Sequence, residues 1–238
     1  MSAVVRGREP TPLPLQDRYS FVLDRVAGRR VMSVGLGGQV DETAYSYDLR
    51  RRELQGTFSA AVAAAAAHTT FVDVVPEALD AYRSVIDAEY WLVDITAAPD
   101  GWPSGFSDER FDVIVLGEVL EHLPNPGAAL VNLQEVLAPG GSFLITVPNA
   151  FDLSRFGRLA FGDERVHPEH VAYYSTSTLQ RLLRECGLEA TEVGTYRTRR
   201  LALRQLRSNP FGYLAGFVAE RLPQYGKGVV ASAVIAGR

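Results

Sequence analysis

Residues 111–123 read FDVIVLGEVLEHL, and the fold turns on them. Asp112 to Leu116 is a short β-branched run, the mark of a buried strand. It breaks at Gly117 into two acids and a histidine. Glu118, Glu121 and His122 stand at helical spacing, so one helical turn would place all three on one face.

The flanking sequence repeats the same grammar. Arg30–Val34 is a short strand that breaks at GLGG (35–38), and TTFVDVV (69–75) and EYWLVDI (89–95) are two more. SFLITVPN (142–149) is a fifth. Between them lie helical patterns. Gln16–Val26 has helical spacing and stops at Gly28, and TFSAAVAAAAAH (57–68) is rich in alanine, the best helix former. PEALDAYRSVI (76–86) opens with Pro at its first turn, and PGAALVNLQEVLAPGG (126–141) ends in glycines. Strands alternating with helices imply a parallel sheet covered on both faces.

After Asn149 the pattern changes. Residues 150–175 form a loop-like stretch rich in aromatics, Arg and His, followed by a Ser- or Thr-capped helix at 175–187. LEATEVGTYRT (188–198) and GVVASAVIAG (228–237) are strand candidates. The apolar NPFGYLAGFVAERLP (209–223) between them reads as a short helix that caps an acceptor or forms a homodimer contact. The run RTRRLALRQLR (197–207) reads as a solvated helix face. Residues 1–14 are expected as a flexible leader and residues 15–238 as one domain. That domain carries a polar insert at 39–56 and acceptor-side elaborations at 150–175 and 205–225.

The 238 residues are 47% hydrophobic and 22% charged, an ordinary globular balance. A net charge of −4 provides no broad field for nucleic acid. The single Cys186 excludes an intramolecular disulfide and fits a reducing cytosol. No apolar run approaches the roughly 20 residues that span a bilayer. The expected location is cytoplasmic, without a membrane.

In open α/β sheets, ligands bind at the carboxyl ends of the strands. Gly35, Gly37 and Gly38 follow the first strand, where glycine permits positive φ and close approach of a ligand. Asp73 ends the second strand, placed to accept from ribose hydroxyls, and Asp94 lies near the end of the third, placed to accept from an adenine amino group. Together they describe an adenosine site.

The blocks VMSVGLGGQ, FVDVVPEAL, WLVDI, FDVIVLGEVLEHL and EVLAPGGSFLITVPN resemble, in order and spacing, class I S-adenosylmethionine-dependent methyltransferases. The resemblance implies a Rossmann-like, seven-stranded, mostly parallel sheet whose last strand is antiparallel. It implies S-adenosylmethionine as cofactor and S-adenosylhomocysteine as product. Gly35, Leu36 and Gly37 would then face the methionine part, Asp73 with Val74 the ribose, and Asp94 with Ile95 the adenine. Gly117 and Glu118 would line the floor beside the transferred methyl. Two departures stand out: Ser33, where the family usually has an acid, and Gln39, where it has a third glycine.

A hydroxyl acceptor must also lose a proton, to a base or with the help of a metal. His122 and the later His167 and His170 are expected to meet above the methyl group, with Glu118, as the catalytic set. Glu118, Glu121, His122 and His170 together resemble the divalent-metal site of small-RNA 2′-O-methyltransferases, and such a set suits Mg or Mn. The preferred reading is metal-free, with His122 as base or substrate contact. The expected activity is O-methylation of a small-molecule (natural product) or sugar hydroxyl. The rivals are a dinucleotide-dependent oxidoreductase and an inactive cofactor-binding protein.

Overall fold

The computed structural model describes residues 9–36, 54, 57–159, 162, 164, 167–197 and 210–237. Gly37, the insert expected at 39–56 apart from Leu54, and the arginine run after Arg197 lie outside the described residues.

Five parallel strands follow one another as expected: β3 (Arg30–Val34), β4 (His68–Asp73), β5 (Glu89–Leu92), β6 (Phe111–Gly117) and β7 (Leu137–Pro148). They are joined by two later strands, β8 (Leu188–Arg197) and β9 (Gly228–Ile235). Two two-residue strands precede them all, β1 (Thr11–Pro12) and β2 (Gln16–Asp17). The sheet therefore has nine strands rather than seven, in the order β1-β8-β9-β7-β6-β3-β4-β5, with β2 also on β8. The two additions come from sequence expected as leader and helix start. Thr11 pairs with Glu192 and Gln16 with Tyr196, both parallel, and Leu13 N donates to Val193 O. An otherwise open edge of β8 is thereby covered. The last strand is antiparallel as expected, since β9 runs against both β7 and β8.

Helices lie on both faces because both faces of the parallel strands are apolar. On one side α1 (Arg18–Val26) buries Phe21, Val22 and Val26, and α2 (Phe58–Ala65) buries Val62 against the same cluster. Asp17 caps α1 by accepting from Ser20 N, and Thr57 caps α2 by accepting from Ala60 N. The alanine-rich helix is shorter than expected, because Ala66 turns extended and His68 already belongs to β4. Near the opposite edge α3 (Pro76–Arg83) seats Leu79 and Tyr82 against Phe71. The other face packs α4 (Pro126–Asn132) and α6 (Thr176–Glu185) on Ile114, Leu116, Phe143 and Ile145. A Ser175–Thr178 capping box starts α6. Two further helices are α5 (Leu153–Leu159), inside a stretch expected as loop-like, and α7 (Pro210–Arg221), where a short apolar helix was expected. Strand β7 begins earlier than expected, at Leu137. Its APGG stretch is an irregularity between the pairs Phe111–Leu137 and Val113–Ser142 rather than a helix end.

Candidate active site

The chain winds from β3 to β4 and β5 on one side, then crosses back to β6 and β7 on the other. The crevice at the carboxyl ends of β3 and β6 is the place where such sheets take ligands. A cavity of ≈ 850 Å³ lies there, lined among others by Gly35, Leu36, Asp73, Val74, Asp94, Ile95, Gly117, Glu118, His122 and His167. Its size is in the range of small-molecule sites. Apart from Gly37, every residue expected to hold the cofactor meets in this one space.

Local chemistry accounts for each wall. Gly35 has φ +75°, and its N donates to Val72 O at 2.9 Å. A Cβ there would lie 3.0 Å from Val119 Cγ2, so only glycine makes this turn without strain. Asp73 Oδ2 accepts from Leu36 N at 2.8 Å and Oδ1 from Val75 N at 3.0 Å. The carboxylate thus ties the glycine turn to the end of β4, and each oxygen keeps a further lone pair. Asp94 Oδ1 accepts from Thr96 N at 2.8 Å and Thr96 Oγ1 at 2.6 Å. These bonds, the hydroxyl first, hold its pKa below the ordinary value, so the group is anionic.

The turn after β6 departs from expectation. It is a 3-10 turn over Leu120–His122, not an α-turn, and it follows a left-handed residue. Glu118, Glu121 and His122 therefore do not share one face. Glu118 has φ +59°, alone among described non-glycine residues in that region. Such strain costs on the order of 1–3 kcal/mol. Its N donates to Thr146 O at 2.8 Å, and its Oε1 accepts from Thr146 Oγ1 and Tyr196 Oη, both at 2.9 Å. Hydrogen bonds to a charged group contribute about 1.5–3 kcal/mol each, enough to offset the strain. Glu121 is fully buried, and neither carboxylate oxygen has a partner among the described residues. Burial first, then the Glu118 charge, raises its pKa to about 8, so the group is neutral at pH 7. His122 alone of the three side chains is both on the cavity wall and near the later histidines.

Those histidines come from the loop before α6, which is pinned by Val171 N and Ala172 N donating to Glu121 O at 2.8 and 3.3 Å. The His122 ring lies 4.6 Å from that of His170 and 5.8 Å from that of His167. One nitrogen of each histidine lies within 4.8 Å of the others. His122 Nδ1 is 3.7 Å from Glu169 Oε2, within ion-pair reach. His170 does not line the cavity, as its expected catalytic place requires; it packs edge-on against His122, one ring removed. Its buried Nδ1 has no partner among the described residues. Burial, then the neighbouring histidines, lowers its pKa to about 4, leaving a neutral ring.

Three residues unnoticed in the sequence complete the site. Arg18, from the start of α1, lines the cavity with its guanidinium 4.6 Å from the Phe58 ring and 6.0 Å from the Tyr196 ring. Its Nε is buried without a partner among the described residues. Its Nη2 lies 3.4 Å from where a Gly117 Cβ would be. Glu169 adds an acid at the mouth, and Tyr196 the hydroxyl on Glu118. A solitary Arg before a helix carries no sequence signal of this kind.

A family described as "Methyltransferase domain" matches residues 14–193. The chain is 29% identical over 176 residues to the ubiquinone biosynthesis O-methyltransferase of Aromatoleum aromaticum, covering 71% of this chain and 67% of that protein. It is 28% identical over 222 residues to the enzyme of the same name from Xylella fastidiosa strain 9a5c, covering 87% and 81%. Among solved structures, the N-methyltransferase NodS of Bradyrhizobium japonicum with S-adenosyl-L-homocysteine superposes with a TM-score of 0.52. That match has 17% identity and covers 92% of this chain and 88% of that one.

Proposed function

We propose, given that this chain belongs to the S-adenosylmethionine-dependent methyltransferase family, that it methylates a hydroxyl of a small molecule with His122 as the base. Membership sets aside the dinucleotide oxidoreductase reading, which rested on the same glycine turn and ribose acid. The observation that carries the proposal is that His122 lines the same cavity as Gly35, Asp73 and Asp94, with Nδ1 facing Glu169.

The cofactor supplies an activated methyl on a sulfonium. The chain's residues bind and align it, and much of the rate comes from that alignment. Asp73 receives the ribose hydroxyls on its open lone pairs, and Asp94 and Ile95 flank the adenine. Arg18, on the cavity wall, takes the amino-acid carboxylate. With S-adenosylmethionine bound, its methyl would pass to the acceptor oxygen and S-adenosylhomocysteine would be the product. The hydroxyl proton passes to His122 Nε2, and Glu169 steadies the resulting imidazolium at Nδ1. The relatives' name makes a phenolic hydroxyl of a quinone precursor the first acceptor to test, ahead of a natural-product or sugar hydroxyl. A phenol gives up its proton near pH 10, within reach of such a base. Among the described residues no helix is long and apolar enough to cross a membrane; we place the enzyme in the cytoplasm.

The three-histidine cluster favours a second reading. A divalent ion would sit on His122, His167 and His170, whose imidazole nitrogens suit Zn, Mn or a similar ion. The Glu118 and Glu121 carboxylates expected as ligands fit less well, one being held by Thr146 and Tyr196 and the other being buried and neutral. An ion there would lower the pKa of the acceptor hydroxyl. The deciding assay is release of S-adenosylhomocysteine with phenols, their methyl ethers, sugars and amines. Turnover with free hydroxyls alone supports O-methylation, and turnover with amines alone overturns it.

A further inference from the structure

Tyr196 and Glu118 are 78 residues apart in sequence and sit on strands that are not neighbours. From β8, the phenol must reach past β9 and β7 to the carboxylate of the residue that follows β6. The crossing is open because Gly228 is the register partner of Tyr196 on β9. A Cβ on Gly228 would lie 2.1 to 2.5 Å from Cε1, Cζ and Oη of the Tyr196 ring. No side chain larger than hydrogen leaves that path. Thr146, fully buried on β7 between β9 and β6, supplies the second donor to the same carboxylate oxygen. Burial and then the Glu118 charge push the Tyr196 pKa well above its ordinary value, so the hydroxyl keeps its proton and donates.

The network ends on the residue with the left-handed backbone. Gly117 and Glu118 are the cavity floor beneath the sulfonium in the reading above, and Arg18 stands between Phe58 and Tyr196 over that floor. With its carboxylate tied to Tyr196 and Thr146, residue 118 is held in a conformation it would otherwise leave. The two donors also keep the carboxylate engaged.

We propose that Tyr196 is a positioning residue for methyl transfer: reaching across Gly228, it fastens Glu118 and so sets the floor on which the cofactor's methionine end rests. The proposal depends on the methyltransferase reading, and its test needs no acceptor. Calorimetric titration with S-adenosylhomocysteine is run on four proteins: unaltered, Tyr196→Phe, Glu118→Gly, and the double variant. Glycine adopts positive φ freely and has no carboxylate to fasten. Tyr196→Phe alone should weaken binding about tenfold, the scale of one lost charge-assisted hydrogen bond. In the Glu118→Gly protein the same change should be nearly silent, because the tether has nothing to hold. A phenol that merely packs β8 against β9 predicts equal losses in both proteins, and that result overturns the proposal. Should Tyr196→Phe fail to fold, Thr146→Val removes the other donor and completes the same cycle, with the same two outcomes. If the unaltered protein binds no S-adenosylhomocysteine, the cofactor reading itself fails; if it binds and the cycle is additive, only the role of Tyr196 fails.

Discussion

At the scale of single residues, the Asp73 carboxylate serves both the glycine turn, through Leu36 N and Val75 N, and the proposed ribose contact. Asp73→Ala should therefore weaken S-adenosylmethionine binding by about 1.5–3 kcal/mol and also lower stability, by about 0.5–1.5 kcal/mol for each backbone bond lost. Calorimetry and thermal melting of the same variant read the two effects, and unchanged affinity removes Asp73 from the site. Arg18 offers a cleaner separation. Arg18→Gln should weaken S-adenosylhomocysteine binding about tenfold or more and leave methylthioadenosine, which lacks the carboxylate, unaffected. Equal losses for both ligands would show that Arg18 acts on the floor and not on the carboxylate. Both acids were legible because each ends an apolar run. Arg18 was not, since only the docking of α1 brings it to the strand ends.

At the scale of elements, the 3-10 turn after β6 decides which polar group does what. Glu121 is neutral in the folded protein with a pKa of about 8, against an ordinary 4.5. Between those values the folded state holds a proton that the unfolded chain has lost, so stability falls as pH rises through this window. The loss approaches about 1.4 kcal/mol per pH unit at most. Glu121→Gln mimics the neutral acid and should flatten that slope, its melting advantage growing from pH 5 to pH 8; identical slopes would disprove the burial argument. Strand β9 makes its own prediction. Gly228→Ala forces a methyl into the Tyr196 ring and should destabilise by about 1–3 kcal/mol, as overpacking does. A urea midpoint equal to that of the unaltered protein would show the ring has room to move.

For the whole molecule the question is whether proton removal uses a base or an ion. His122→Ala lowers turnover under either reading, so the informative pair is chelator and pH. A histidine base predicts turnover that survives chelation and a pH profile that His122→Ala changes. An ion on the three histidines predicts loss with chelator, recovery with one divalent metal, and equal sensitivity to His167→Ala and His170→Ala. We expect the chelator-resistant outcome, with His170→Ala mild because that ring is one removed from the cavity.

The alternation of apolar runs with amphipathic stretches determined the parallel strands and the helices on both faces, and the family resemblance implied the antiparallel last strand. Placing Gly35, Asp73 and Asp94 needed only their positions at strand ends, because in such a sheet those ends converge; Gly117 was placed by the resemblance. Local pattern carries this much, since burial of a strand or helix face is written in its own residues. The remainder depended on separations that local pattern does not encode. Pairing of residues 11–12 and 16–17 with β8 became visible only when that edge was formed. The left-handed Glu118 scattered three polar residues that spacing had grouped together. The contacts of Tyr196 with Glu118, and of Arg18 with Phe58, join segments brought together by sheet order and helix docking, and a sheet chooses its neighbours by the packing of the whole chain.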